Sequence, residues 1–219
     1  MRVIRKAELA RKAIMNACPT CKGNGCRDCI RKVEKINAYS AACIPVAYWG
    51  YNLQSFQGDA NFKGFVENLT KTVEAVYNEG NSYAFVGRHG VGKTFGACEV
   101  LKAAITHGYT AKYTTMSEIV DLIISKDIEF KMALLHSDFL VIDEFDSRFI
   151  PTTDRGKETF GANLENIIRT RFQNRMPIIF CTNNSSINDV FDDTFKQTFN
   201  SLFAESNITS VAVGGIDLR

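Results

Sequence analysis

The chain has 219 residues, 45% of them hydrophobic and 23% charged, with a formal net charge of +2. That balance suits a globular protein with one medium domain and a small appendage; it excludes a disordered or fibrous chain and a wholesale polyanion binder. No apolar run approaches the roughly 20 residues of a membrane span, and the basic N-terminus has no apolar h-region, so a cytoplasmic protein with no membrane partner is expected.

In chain order, residues 1–17 read as a basic amphipathic helix with Val3, Ala7, Ala10 and Ile14 at helical spacing. The first 35 residues carry ten Lys and Arg against Glu8, Asp28 and Glu34, a local excess that suits nucleic acid, an acidic partner or a solvated face. Next comes CPTCKGNGCRDC, which holds Cys18, Cys21, Cys26 and Cys29 out of seven cysteines. C-x2-C-x4-C-x2-C gives two pairs, each able to grip one face of a tetrahedral ion, with Gly23 and Gly25 permitting the reversal between them. Zinc is the leading reading; an iron–sulfur cluster or free thiols are the alternatives. Residues 1–40 hold too little apolar material to fold alone, so a closed metal site would supply the missing stability. Cys43 is a possible alternate ligand. A short helix over IRKVEKINAYSAA and an aromatic loop, IPVAYWGYNLQSFQGD, follow; Trp49 and Tyr51 either pack or stack on a base.

From residue 62 onward helices and short apolar strands alternate. FKGFVENLTKTVEAVYN reads as one helix, and SYAFVG as a strand ending in glycine. A helix over TFGACEVLKAAITHG and the strand AKYTTM come next, then SEIVDLIIS, a helix that Ser117 could cap. IEFKMALLH is helical, FLVIDEF a strand, KETFGANLENIIRTRFQNR a long helix and PIIFCTNN a strand. VFDDTFKQTFNSLFAES and NITSVAV close the chain as helix and strand. Five apolar strands alternating with helices predict an α/β fold with a parallel sheet between helical layers.

Three strand ends carry the chemistry. Gly87-Arg88-His89-Gly90-Val91-Gly92-Lys93-Thr94 fits G-x-x-x-x-G-K-S/T between a strand and a helix. Such a loop turns backbone N–H groups around the β-phosphate of ATP at a helix N-terminus; Lys93 would neutralise the β/γ-phosphates and Thr94 would ligate Mg²⁺. His89 reads as a variable loop position. FLVIDE ends in Asp143, a second Mg²⁺ contact through water, and Glu144, which would orient or deprotonate the attacking water. Asn183, at the end of PIIFCTNN, could bridge that water and the γ-phosphate, or could merely form a turn. Cys98 and Cys181 fall in core elements as small apolar residues.

Together these motifs resemble the AAA+ ATPases, and among them the DnaC/DnaI-type helicase loaders and the related IstB transposition ATPases. The resemblance runs from Ile44 to Arg219. It includes the Ile44-Pro45…Tyr48…Phe56 lead-in, GRHGVGKT, FLVIDEF, IIFCTNN, Arg171 in RTRFQNRMP, and the closing Gly-Ile-Asp-Leu-Arg. It implies residues 1–43 as a partner-binding module built on the four cysteines and 44–219 as a P-loop AAA+ domain without a C-terminal lid. It implies Arg219 as the residue that senses the γ-phosphate, and Arg171 as a family arginine. It also implies an ATPase that self-associates on a replicative DNA helicase and helps place it on single-stranded DNA. An IstB-like ATPase acting on a transposase, and an adaptor in which nucleotide only stabilises the fold, are the alternatives. The chain departs from the family where a trans-acting arginine is usual: Phe195-Lys196-Gln197-Thr198-Phe199-Asn200-Ser201-Leu202 contains none. Lys196 lacks the planar fork of arginine, which leaves Arg169, Arg171 or Arg175 as substitutes, or hydrolysis that is slow.

Overall fold

The computed structural model describes residues 2–191 and 193–218, with side chains from residue 6 onward apart from those of 193 and 194. The chain divides into two compact units, Met1–Tyr51 and Asn52–Arg219. Among the described residues no helix is long and apolar enough to cross a membrane.

The first unit is a pair of helices, α1 (Arg2–Asn16) and α2 (Arg27–Ala41), packed against each other. The cysteine-bearing turn joins them. Lys22, Gly23 and Gly25 adopt positive φ there (45°, 95° and 82°), and the two glycines allow the chain to double back without a side-chain clash. Ala7, Cys29, Tyr39, Ala42 and Ile44 are buried, a small apolar set for a unit of this length. Trp49 donates its indole N–H to the Ile44 carbonyl at 2.9 Å, whereas Tyr51 is 57% exposed.

The second unit holds α3 (Ala60–Lys71), α4 (Val73–Glu79), β1 (Ser82–Val86), α5 (Lys93–Thr106), β2 (Ala111–Thr115), α6 (Met116–Ser125) and α7 (Ile128–His136). It continues with β3 (Phe139–Asp143), α8 (Asp154–Gln173), β4 (Ile178–Thr182), α9 (Asp193–Ala204) and β5 (Ile208–Ala212). The five strands form one parallel sheet in the order β2-β3-β4-β1-β5. Strands β1, β3 and β4 are buried on both faces, which is why they read as unbroken apolar runs rather than alternating ones.

Strand parity divides the core. Ala84, Val86, Leu140, Ile142, Ile178 and Phe180 face a layer built from α6, α7, α8 and α9 through Met116, Leu134, Ile167 and Phe199. On the other face Phe85 meets Phe62 and Phe65 of α3 edge-on, and α3 packs on α5. Asp143 shares the odd parity of Phe85 and so belongs to the α5 side.

Three boundaries differ from the sequence expectation. The helix expected over 62–78 breaks at Thr72, where Thr70 and Thr72 turn their hydroxyls onto the Glu67 and Asn68 carbonyls and φ reaches −111°. The cap of α6 is Thr115, not Ser117: Thr115 accepts from the Glu118 N–H while Glu118 accepts from the Thr115 N–H. Helix α8 starts at Asp154 because Thr153 caps it.

Candidate nucleotide site and metal centre

Helix α5 begins at Lys93, directly after a loop whose glycines take conformations closed to other residues. Gly90 and Gly92 lie at φ 78° and 98°, and a Cβ on Gly87 would run into the Val213 carbonyl. Val91 is buried and anchors the loop; Arg88 and His89 are exposed. The Lys93 ammonium is buried against the Gly87 and Arg88 carbonyls at 2.7 and 2.6 Å, and donates to Asn183 Oδ1 at 3.0 Å. Asn183 reaches it because β4 lies between β1 and β3 in the sheet.

At the end of β3, Asp143 Oδ2 accepts from the Thr94 hydroxyl and from the Tyr113 hydroxyl, each at 2.7 Å, while Oδ1 accepts from the Glu144 N–H at 2.7 Å. The next two residues part in opposite directions. Phe145 returns to the core, with its ring 4.8 Å from that of Phe180, and donates its N–H to the Cys181 carbonyl. Glu144, held at φ 50°, stands exposed. A left-handed glutamate is strained, and the buried Phe145 is what holds it there. Lys93, Thr94, Asp143, Glu144 and Asn183 therefore meet at the carboxyl edge of the strands, where parallel sheets bind ligands. A lysine, a hydroxyl and a carboxylate gathered at one strand edge are a donor set suited to phosphate and a divalent cation.

The C-terminal segment runs along the same loop. Val213 donates its N–H to the Val86 carbonyl, Gly214 to Asp59 Oδ2 and Leu218 to the Gly90 carbonyl, at 2.8, 3.0 and 3.0 Å. The Gly214 N–H, with two more from the start of α3, holds the Asp59 carboxyl below its usual range. Arg219 lies outside the described residues.

Arg171 is not at this edge. It is fully buried, and its guanidinium donates to the carbonyls of Leu134, Ser137, Asp138 and Pro177 at 2.7–3.2 Å, at the amino ends of β3 and β4. Burial pulls its pKa down to about 9. It ties α8 to the start of two strands, and no part of it reaches the surface. Arg169 pairs with Glu165 on its own helix. The stretch expected to carry a trans-acting arginine lies in α9, where Phe199, Leu202 and Phe203 are core residues and Lys196 is exposed. Cys98 and Cys181 are buried free thiols, pushed up in pKa by that burial.

The first unit brings Cys18, Cys21, Cys26 and Cys29 together, with all four sulfurs within 4.8 Å of one another. Three pairs lie at 3.6–3.7 Å. A tetrahedron with metal–sulfur bonds of about 2.3 Å has edges of about 3.8 Å. The set fits a single ion better than a cluster that shares its cysteines among several irons. Backbone N–H groups lower two of the thiols: that of Cys26 takes Cys21 to about 6, and that of Cys21 lowers Cys18. Cys29 goes the other way, to about 12, because it donates to Cys18 and is desolvated. Four sulfurs so close cannot all ionise without a cation, and the lowered pair is the readiest to take the ligating thiolate form. Cys43 is exposed and outside the group.

Sequence reasoning did not find Tyr113. Its place on the Asp143 face comes from the register, with Ala111 opposite Phe139 and Thr115 opposite Asp143, for which the sequence carries no signal.

No family model matches the sequence, and no curated protein matches it either. Solved structures do. DnaI superposes with a TM-score of 0.65 at 13% identity, covering 80% of this chain and 94% of that one. The DnaC helicase loader gives 0.58 at 22% identity, covering 78% of this chain and 100% of that one. AMPPCP-bound DnaA from Aquifex aeolicus gives 0.57 at 18% identity, covering 77% of this chain and 51% of that one. The fold is shared with these solved structures, as the resemblance to DnaC/DnaI-type loaders implies.

Proposed function

We propose that the chain is an ATP-binding helicase loader that hydrolyses ATP slowly, self-associates on a replicative DNA helicase and assists its placement on single-stranded DNA. The observation that carries the ATPase reading is the bond between Thr94 and Asp143, residues from different motifs, beside the Lys93–Asn183 contact. The loader reading rests on the likeness to DnaI and the DnaC helicase loader, and the nucleotide reading gains from the AMPPCP-bound DnaA. A DnaA structure bound to single-stranded DNA supports the nucleic-acid partner.

In this reading the N–H groups of Gly90, Val91, Gly92 and Lys93 cradle the β-phosphate of ATP. The Lys93 ammonium turns from the loop carbonyls to the β/γ-phosphates. Thr94 and Asp143 hold Mg²⁺, which supplies charge neutralisation at the phosphates. Glu144, exposed at the strand end, takes the proton of a water whose oxygen attacks the γ-phosphorus; the bond to the bridging oxygen breaks and ADP leaves. Asn183 orients that water. Arg219 follows the tethered Leu218 and senses the γ-phosphate. With no arginine in α9 to reach a neighbouring site, turnover in the isolated protein is slow, since such a finger is worth about 10³–10⁵ in rate. Cys18, Cys21, Cys26 and Cys29 hold zinc and fold the basic head that meets the helicase. The site of action is the cytoplasm.

The test is Glu144→Gln. ATP binding should persist while hydrolysis falls at least about 100-fold; unchanged hydrolysis would favour an adaptor stabilised by nucleotide. Affinity capture from the native source with ATP present should return a replicative helicase. Recovery of a transposase instead would replace the loader with an IstB-like role.

A further inference from the structure

We infer that Tyr113 is a positioning residue for the Asp143 carboxylate: its hydroxyl, donated from outside the phosphate loop, fixes the orientation in which Asp143 meets the cation. The inference rests on the nucleotide-site reading above and concerns a residue outside its motifs.

Tyr113 lies on β2, opposite Val141 in the parallel register, with Asp143 two residues further along the neighbouring strand. A tyrosine side chain spans about two strand residues of roughly 3.3 Å each, so a ring leaning along the strand delivers its hydroxyl to the diagonal partner. The 2.7 Å bond to Asp143 Oδ2 is that reach made good. Tyr113 is 7% exposed, so its hydroxyl reaches Asp143 within the fold rather than from solvent.

Asp143 Oδ2 has two hydroxyl donors, and they differ in what nucleotide binding asks of them. Thr94 would present an oxygen lone pair to Mg²⁺ while its proton stays on Asp143, so its position follows the phosphate loop and the cation. Tyr113 stands on a strand outside the phosphate loop, its ring buried where β2 packs on α5, and its bond to Asp143 does not depend on the loop. With Oδ1 fixed by the Glu144 N–H, the tyrosine completes a two-point hold on the carboxylate. Partners of this kind, one bond away from a metal ligand, change metal affinity by about 10–100-fold when removed.

Tyr113→Phe removes the hydroxyl and keeps the ring. Binding of a fluorescent ATP analogue to the full chain is titrated with Mg²⁺ and compared with binding in EDTA, with a melting curve as the check on folding. The expected result is a rise of about tenfold in the Mg²⁺ concentration for half-maximal effect, with affinity in EDTA unchanged. Combined with Asp143→Asn, Tyr113→Phe should add nothing further. An unchanged Mg²⁺ dependence overturns the inference, as does an equal loss of affinity with and without Mg²⁺, which would mark a purely structural ring. If the unsubstituted chain shows no nucleotide binding, or binding indifferent to Mg²⁺, the nucleotide-site reading falls and takes the inference with it.

Discussion

The Asp143 carboxylate and the Arg171 guanidinium are both buried, and their surroundings assign them opposite work. Asp143 collects three donors at the strand ends beside the Gly87–Thr94 loop, with Thr94 of that loop among them. Arg171 commits its Nη1 and Nη2 groups to four backbone carbonyls at the other end of the sheet. Nothing there can be exchanged without leaving buried carbonyls unpaired. Arg171→Ala should therefore destabilise the second unit by about 3 kcal/mol or more, read by urea unfolding, and Lys should not rescue it because an ammonium cannot fork among four acceptors. ATP affinity of the folded fraction should stay as it was; a selective loss of affinity would return Arg171 to the nucleotide site.

Among the elements, α3 shows how a helix cap can also fasten a distant segment. Asp59 caps α3 through the Asn61 and Phe62 N–H groups and, with its other oxygen, holds the Gly214 N–H. Asp59→Ala should cost about 1–2 kcal/mol in urea unfolding, and Asn, which keeps an acceptor, should recover most of it. The pH dependence has a definite sign. The folded carboxyl titrates below the unfolded value of about 3.9, so its contribution is complete above that pH and is lost as pH falls through the lowered folded value. An acid-unfolding curve of the Asn variant that matches the parent's would show that the charge contributes nothing. Helix α9 makes a different point: its Phe195, Phe199 and Phe203 recur every fourth residue, with Phe199 stacked on Phe191 at 4.3 Å. A helix whose inward stripe is aromatic core has only its outer face, with Lys196, for contact with a neighbour.

Taken as a whole molecule, the chain stabilises its two compact units by different means. The second closes a parallel sheet between two apolar layers and has a core sufficient for itself. The first buries little beyond Ala7, Cys29, Tyr39, Ala42 and Ile44, and its four sulfurs stand where one ion would hold them. Under the proposed function, zinc chelation should remove the helical signal of residues 1–51 and abolish capture of the helicase, while ATP binding by residues 52–219 survives. A two-step melting curve that becomes single-step on chelation, with the upper transition unmoved, is the expected record. Loss of the upper transition instead would mean that the metal supports the second unit.

The strand-helix alternation, the phosphate loop, the Asp143-Glu144 strand end and the four-cysteine spacing were all legible in the amino-acid order, because each is a local pattern whose physics acts over a few residues. Asn183 was legible too, but only as a turn former or a water ligand. What the strand order decided is its neighbour, since β4 inserts beside β1 and carries Asn183 onto Lys93, which lies 90 residues earlier. The placements of Arg171 and Tyr113 were out of reach for the same reason. Whether a buried arginine sits at the amino or the carboxyl end of a sheet, and whether a tyrosine meets a carboxylate 30 residues away, depends on strand pairing and register. Those are set by long-range packing, which no local pattern encodes.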